Sequence, residues 1–285
     1  MTPDPSRDSG TTTDRSMAEL IERTAIEACE TWEIWSRASL SRSPQLSVME
    51  SDVSFPMFNG IFGGVFASGD EADAAIDRVM GRGRTRQKDL MWWIGPTCRP
   101  ADLMERLLQL GWMAAGTNTG MACDTDNLPD RPLVPSGLTM SQATDSQSLE
   151  SFGGLCAPLF EFPEVAVGPW TELHQATATD PDGRWSHWLA RVDGVPVGTA
   201  SLFLGTDAAT IAGVGVLPRY RRQGIAAAVT WHVLQQAVAA NCRHVVLFAS
   251  PMATGVYSRL GFRPYCEGAC LMWSPSGAPE TDFTK

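Results

Sequence analysis

The sequence predicts an α/β fold built twice along one chain. Three observations lead there. First, the apolar run Thr210-Ile211-Ala212-Gly213-Val214-Gly215-Val216 gives way to a basic turn, Arg221-Arg222-Gln223-Gly224, and then to a helical segment opening at Ile225. Second, a later apolar run, Val245-Val246-Leu247-Phe248-Ala249, is followed by Ser250-Pro251 and a second helical segment. Short apolar runs bounded by turn residues read as buried strands, and strands alternating with helices make an α/β chain. Third, the first half of the chain repeats the order of the second, which is the mark of internal duplication.

The elements follow in order. Phe55 to Phe66 is apolar and interrupted by Gly60, Gly63 and Gly64, and a helix is expected near Glu71 to Met80. Gly81-Arg82-Gly83-Arg84-Thr85-Arg86 follows that helix and reads as a solvated loop. Leu90 to Pro96 reads as a strand. Ala101 to Leu110 reads as a helix, with apolar residues at 103, 104, 107, 108 and 110. Pro100 suits its first turn. The helix closes on Leu110-Gly111-Trp112, and a strand is expected over Thr119 to Cys123.

Asp126 to Gly137 carries Pro129, Pro132 and Pro135 among turn formers and reads as a linker. Beyond it, Trp188 to Ala200 reads as a hairpin turning at Asp193-Gly194. The runs described above come next. A helix over 252–259 closes on Leu260-Gly261-Phe262, and a last strand is expected near 269–273. Leu-Gly-Phe thus answers Leu-Gly-Trp. The polar segments 1–16 and 274–285 read as disordered tails.

The stretch from Arg221 to Ala227 is the chemical focus. The first turn of a helix has backbone N–H groups without intrahelical partners, and the helix dipole adds partial positive charge there. A pyrophosphate fits such an end. Gly224 lets the backbone approach, and Ile225, Ala226 and Ala227 keep bulky polar side chains out of the way.

Together these features resemble the GNAT superfamily of acyl-CoA-dependent N-acetyltransferases. The family's cofactor loop, Arg/Gln-x-x-Gly-x-Gly/Ala, is matched by Arg221, Gly224 and Ala226 after the lead-in Pro218-Arg219-Tyr220. Its later pattern, Asn-x-x-Ala-x-x-x-Tyr followed by Leu-Gly-Phe, is matched at Ala253, Tyr257, Leu260, Gly261 and Phe262, with Ser250 in place of the Asn. The resemblance covers about residues 138–273. It implies a twisted, mixed, mostly antiparallel sheet flanked by helices in each copy. Residues 138–273 would be the catalytic domain and 17–125 a degenerate copy that walls its substrate site, because the first half has no arginine loop and no tyrosine.

The resemblance also assigns roles. Acetyl-CoA would be the donor, and the primary amine of a small molecule the acceptor. The backbone of Arg222 through Ala227 would hold the cofactor diphosphate, and Arg221 would belong to the same cofactor-binding set. Val214, Gly215 and Val216 would present a strand edge to the pantetheine amides, and Ser250 would lie nearby. Gly215 fits either a bulge or a packing contact. Tyr257 would be the general acid beside the thioester sulfur. Glu161, Phe162 and Glu164 fall in the region that lines the acceptor site in related enzymes. The base is left open among Glu161, Glu164, Glu172, His174, His187 and a water chain. Phe160, Trp170, Trp185 and Trp188 belong to the pocket wall or the core, while His232 and His244 read as structural. A non-catalytic acyl-CoA-binding regulator and a peptide or protein N-acetyltransferase are the competing readings. A cofactor site in the first half is a further alternative.

Composition narrows the classes. The chain has 285 residues, 44% of them hydrophobic, and a formal net charge of −10. Its 22 basic residues are nearly all arginine. An acidic chain is a poor nucleic-acid ligand, since such binding draws on phosphate neutralisation, but it favours the approach of a cationic amine. No apolar run approaches the roughly 18 residues that cross a membrane. The N-terminus lacks an apolar leader, and the seven cysteines form no C-x-x-C pair. A cytoplasmic monomer or homodimer with reduced thiols and no metal is the expectation.

Overall fold

The computed structural model describes residues 6–277, with side chains from Thr13 onward. The first half contributes α1 (Ser6–Glu30), β1 (Ala38–Arg42), β2 (Leu46–Ser51), β3 (Gly60–Gly63), α2 (Gly69–Arg86), β4 (Leu90–Ile94), α3 (Leu103–Gln109) and β5 (Met113–Asp124). The second half contributes β6 (Leu138–Gln142), α4 (Ser146–Phe160), α5 (Glu164–Ala178), β7 (Trp185–Val192), β8 (Val195–Leu204), β9 (Ala209–Val216), α6 (Ile225–Ala239), β10 (His244–Ala249), α7 (Thr254–Ser258) and β11 (Arg263–Trp273).

All the strands join one sheet, in the order β1-β2-β3-β4-β11-β5-β10-β9-β8-β7-β6. Only β3–β4 and β9–β10 are parallel pairs, and they occupy equivalent places in the two halves. The α/β class, the duplication and the mostly antiparallel pairing agree with expectation. The joining of the halves adds to it. Each half gives its last strand to the other: β5 lies against β10, and β11 lies against β4, with β5 and β11 paired at the centre. Neither half is a closed structural unit.

Alternation along the strands sorts the core into two layers. Val245, Leu247 and Ala249 of β10 pack with Val229 and Val233 of α6 and with Tyr257 of α7. Val246 points the other way, to Ile21 of α1. On that opposite face α4 and α5 cover β7, where Leu189 joins Phe152 and Trp170. Phe55 and Phe58 of the first half enter the same cluster, so the seam between halves is an aromatic core.

The hairpin at Asp193-Gly194 forms as its sequence predicts, with both residues at positive φ, 50° and 82°. Three expectations need correction. Residues 6–16 lie within α1, which begins at Ser6. This helix is held from its later turns, where Ala18, Ile21 and Ala28 are buried on the sheet. Residues 1–5 are outside the described region. Gly81 to Arg86 is helix as well: α2 continues to Arg86 and ends at Gln87 in the left-handed region. Gly83 is buried there because a Cβ would collide with Leu90 and Trp273, and Arg82 and Arg86 both pair with Glu50. At the other end, Ser274 is buried and bridges Gly277, so the assigned tail is ordered over those residues. Residues 278–285 are outside the described region. Finally, α1, α4 and α5 had no counterpart in the sequence reading.

Candidate active site

The site is built where β9 and β10 separate. Their parallel ladder registers only Val245 with Ala209 and Val246 with Thr210. Beyond Thr210, β9 runs on to Val216 without a partner on that side. Its other edge stays paired with β8. An unpaired inner edge of this kind leaves N–H and C=O groups free for a ligand strand.

Within that free segment β9 is bulged. Thr199 faces Gly215 and Ser201 faces Ala212, so Gly213 and Val214 both stand opposite Ala200. Gly213 takes φ +59°, a conformation that costs glycine little. Of the two readings of Gly215, packing holds: a Cβ there would strike Leu159 of α4. The bulge lies at Gly213-Val214. Val214 and Val216 pack toward α6.

The turn to α6 opens the helix with bare backbone amides. Arg221 Nε donates to the Val216 carbonyl at 3.0 Å and braces the turn. Arg222 sits at φ +64°, and Gly224 at φ +80° is the residue before the first helical turn. Among the described residues no acceptor meets any backbone N–H from Arg222 through Ala227. The first bond of the helix is Ala228 N–H to the Gly224 carbonyl, 3.0 Å. Arg222, Gln223 and Gly224 are exposed, and neither Arg221 nor Arg222 pairs with an acid among the described residues. Ser250, at the end of β10, is exposed, and its carbonyl accepts the Ala253 N–H at 2.9 Å.

Tyr257 stands on α7 with its ring in the core, 6.0 Å from Phe262 and 7% exposed. Its hydroxyl makes no hydrogen bond with the described residues, yet it is absent from the polar atoms sealed without partners. The phenol oxygen therefore opens onto accessible space. Burial pushes its pKa up to about 12, so the phenol keeps its proton.

The acceptor-side residues lie at the α4–α5 turn, above the free part of β9. Glu161 closes α4 at φ +54° and is exposed; Glu164 opens α5 and is exposed too. Phe162 between them packs at 5.6 Å from Phe55 and 4.9 Å from Trp170. The first half thereby roofs this turn. The other base candidates are not available to a substrate. Glu172 pairs with Arg37 at 3.0 Å. His174 and His187 are sealed, with ring centroids 4.6 Å apart. Desolvation drives the His174 pKa down to about 4 and that of His187 well below its ordinary value, with His174 adding to the effect on His187. Trp185 packs in the core at a tilt against Phe203, while Trp188 packs on His232 on the other face of the sheet.

The equivalent place in the first half is blocked. β3 is short, and its pairing with β4 is prolonged by a bridge between Val65 and Arg99. The start of α2 is capped by its own side chains: the Ser68 hydroxyl accepts the Glu71 N–H at 3.2 Å, and the Glu71 carboxylate accepts the Ala67 N–H at 2.8 Å. The Glu22 carboxylate lies against Gly95 and takes the Thr97 N–H at 2.8 Å. Burial raises its pKa.

The sequence reading missed Thr199 and Ser201, which flank the bulge, and Leu159, which packs on Gly215. A signal existed for two of them. Thr199 and Ser201 are polar at alternate positions of an otherwise apolar strand, which places them on one face. Among the described residues no three metal-ligating side chains converge, and no helix is long and apolar enough to cross a membrane.

The profile of the "Acetyltransferase (GNAT) family" matches residues 156–262. Solved structures share the fold over nearly the whole chain. A GCN5-related N-acetyltransferase from Kribbella flavida has 19% identity and a TM-score of 0.67, over 87% of this chain and 94% of that one. Another from Sphaerobacter thermophilus has 18% identity and a TM-score of 0.60, over 96% of each chain. A tandem GNAT protein from the clavulanic acid biosynthesis pathway has 14% identity and a TM-score of 0.60, over 95% of this chain and 98% of that one. No curated protein matches the chain. The cradle at Gly224 and the tyrosine on α7 both fall inside the matched span, and residues 156–262 are accordingly a domain of the acetyltransferase (GNAT) family, in a chain with the fold of tandem proteins of that family.

Proposed function

We propose that this chain is an acyl-CoA-dependent N-acetyltransferase with acetyl-CoA as donor and the primary amine of a small molecule as acceptor. The observation that carries this reading is the row of unpartnered N–H groups from Arg222 through Ala227, at the positive end of α6. A diphosphate answers that row, since charge-assisted hydrogen bonds are worth roughly 1.5–3 kcal/mol each. The bare edge of β9 suits an amide-bearing arm, and the residues present therefore fit coenzyme A.

The donor supplies an acetyl thioester: a C–N bond forms to the amine, the C–S bond breaks, the amine gives up a proton and the sulfur takes one. Tyr257 is the proton donor, because its phenol is protonated at any working pH and its oxygen is unbonded. Gly224 and the exposed amides orient the donor. Arg221 holds the turn through Val216. With His174 and His187 sealed, the amine proton leaves through water, with Glu161 or Glu164 at the mouth. The aromatic roof of Phe55 and Phe162 supports a small acceptor over an extended peptide. The second half is the catalytic domain, and the first half acts as its wall.

Calorimetric titration with coenzyme A, followed by turnover of acetyl-CoA against a panel of amines, tests the reading. Saturable binding and acetylation of at least one amine are expected. Saturable binding without any turnover would instead favour a regulatory acyl-CoA binder. No saturable heat would end both.

A further inference from the structure

The bulge in β9 leaves one carbonyl, that of Gly213, out of ordinary ladder pairing. Thr199 on β8 takes it: its Oγ1 donates to the Gly213 oxygen at 2.8 Å. Thr199 is fully buried and Gly213 half-buried, so the donor side of this bond is shielded from water. A peptide unit is planar and trans, and its C=O and N–H point in opposite directions. With the Gly213 C=O turned to Thr199, the Val214 N–H of the same peptide turns away from β8. That is the side from which β10 has departed, since the β9–β10 register ends at Thr210.

A neighbouring network stiffens the same spot. The Thr177 hydroxyl donates to the Leu173 carbonyl at 3.1 Å, so its oxygen receives the proton of His187 Nε2 at 2.9 Å. His187 Nδ1 is then bare and accepts the Ser201 hydroxyl at 2.8 Å. Ser201 Oγ lies 3.8 Å from where a Cβ on Gly213 would stand. The chain Thr177–His187–Ser201 thus anchors β8 to α5 directly beneath the bulge.

We infer that Thr199 is a positioning residue for the donor's carbonyl: its bond to Gly213 holds the 213–214 peptide with the Val214 N–H facing the gap, where it donates to the acetyl oxygen. This rests on the acetyltransferase reading above. A fixed N–H aimed at an oxygen that gains negative charge lowers the barrier without reorganising when the charge appears. Loss of one such donor costs ~10²–10³ in kcat, and loosening it costs part of that.

Thr199→Val keeps the shape and removes the hydroxyl, while Thr199→Ser restores it. The valine variant should lose ~10-fold or more in kcat, by a fraction of that donor effect. Its KM for acetyl-CoA and its affinity for coenzyme A should stay near those of the wild type. The serine variant should recover most of the rate. A second readout does not need turnover. In protein labelled with 15N-valine, the Val214 amide signal should move more with acetyl-CoA than with coenzyme A, and this difference should vanish in Thr199→Val. Wild-type kcat in the valine variant, or an unchanged amide response there, overturns the proposal and leaves the acetyltransferase reading standing. No amide response in the wild type overturns it as well. Absence of cofactor binding removes the reading itself.

Discussion

Val246 of β10 and Ala122 of β5 face each other in antiparallel register at the centre of the sheet, although they come from different halves of the chain. The same strand β5 meets β11 on its other edge, where Ala122 also faces Arg263. Each half therefore completes the sheet of the other. The open cleft in the second half depends on this, because β10 is held from the far side by β5 while it leaves β9.

The exchange predicts that neither half folds alone. Residues 1–137 expressed by themselves would expose both long edges of β5 without β10 or β11, and unpaired edges aggregate. Insolubility or a molten circular dichroism spectrum is expected for each half, with soluble protein recovered on co-expression. A cooperative thermal transition in an isolated half would contradict this.

Tyr257→Phe should lower kcat by about 10²-fold, the lower range for general acid catalysis, while leaving coenzyme A affinity nearly unchanged. The buried ring is preserved and only the oxygen at the open end is lost. Full activity of the phenylalanine variant across pH would remove Tyr257 from the mechanism.

Gly224→Glu should weaken coenzyme A binding at least tenfold, about 1.4 kcal/mol. The carboxylate repels the diphosphate, and a side chain at φ +80° adds strain of roughly 1–2 kcal/mol to the fold. Calorimetry and a melting curve separate the two effects. A dissociation constant within twofold of the wild type would place the cofactor elsewhere.

Cofactor stoichiometry should be one per chain. In the first half Asp70 and Glu71 occupy the opening turn of α2, and the Val65–Arg99 bridge closes the gap that β9 and β10 leave open. Two equivalents of bound coenzyme A in a titration would show that the first half retains a site.

Acid should destabilise the protein through His174 and His187. Both are buried and neutral in the fold, with pKa values below the ordinary 6.5, that of His174 at about 4. Above pH 6.5 neither state carries the extra proton, and the full stability is present. As pH falls from 6.5 toward 4 the unfolded chain takes up protons that the fold refuses, and stability is lost. His174 alone accounts for on the order of 3 kcal/mol across that window, from 1.36 kcal/mol per unit. Urea midpoints at pH 7.5 and 5 measure it. In His174→Gln the dependence should flatten, and an unchanged slope would assign it to other groups.

The sequence by itself determined the local pieces. Asp193-Gly194 between two apolar runs makes the hairpin whatever surrounds it, because both positions need positive φ. Arg221 to Ala227 makes the cradle because a glycine before a run of small apolar residues starts a helix with bare amides. Such signals are written in consecutive residues. Other features were settled only in the folded chain. Gly83 lies inside α2 against Leu90 and Trp273, which leave no room for a Cβ, and Trp273 is far from it in the sequence. His174 and His187 looked like bases until α4 and α5 sealed them. The exchange of β5 and β11 is likewise invisible in one dimension, since either strand satisfies its hydrophobic pattern against any apolar neighbour. Which neighbour it meets is decided by the whole sheet at once, as is the parting of β9 from β10 beyond Thr210.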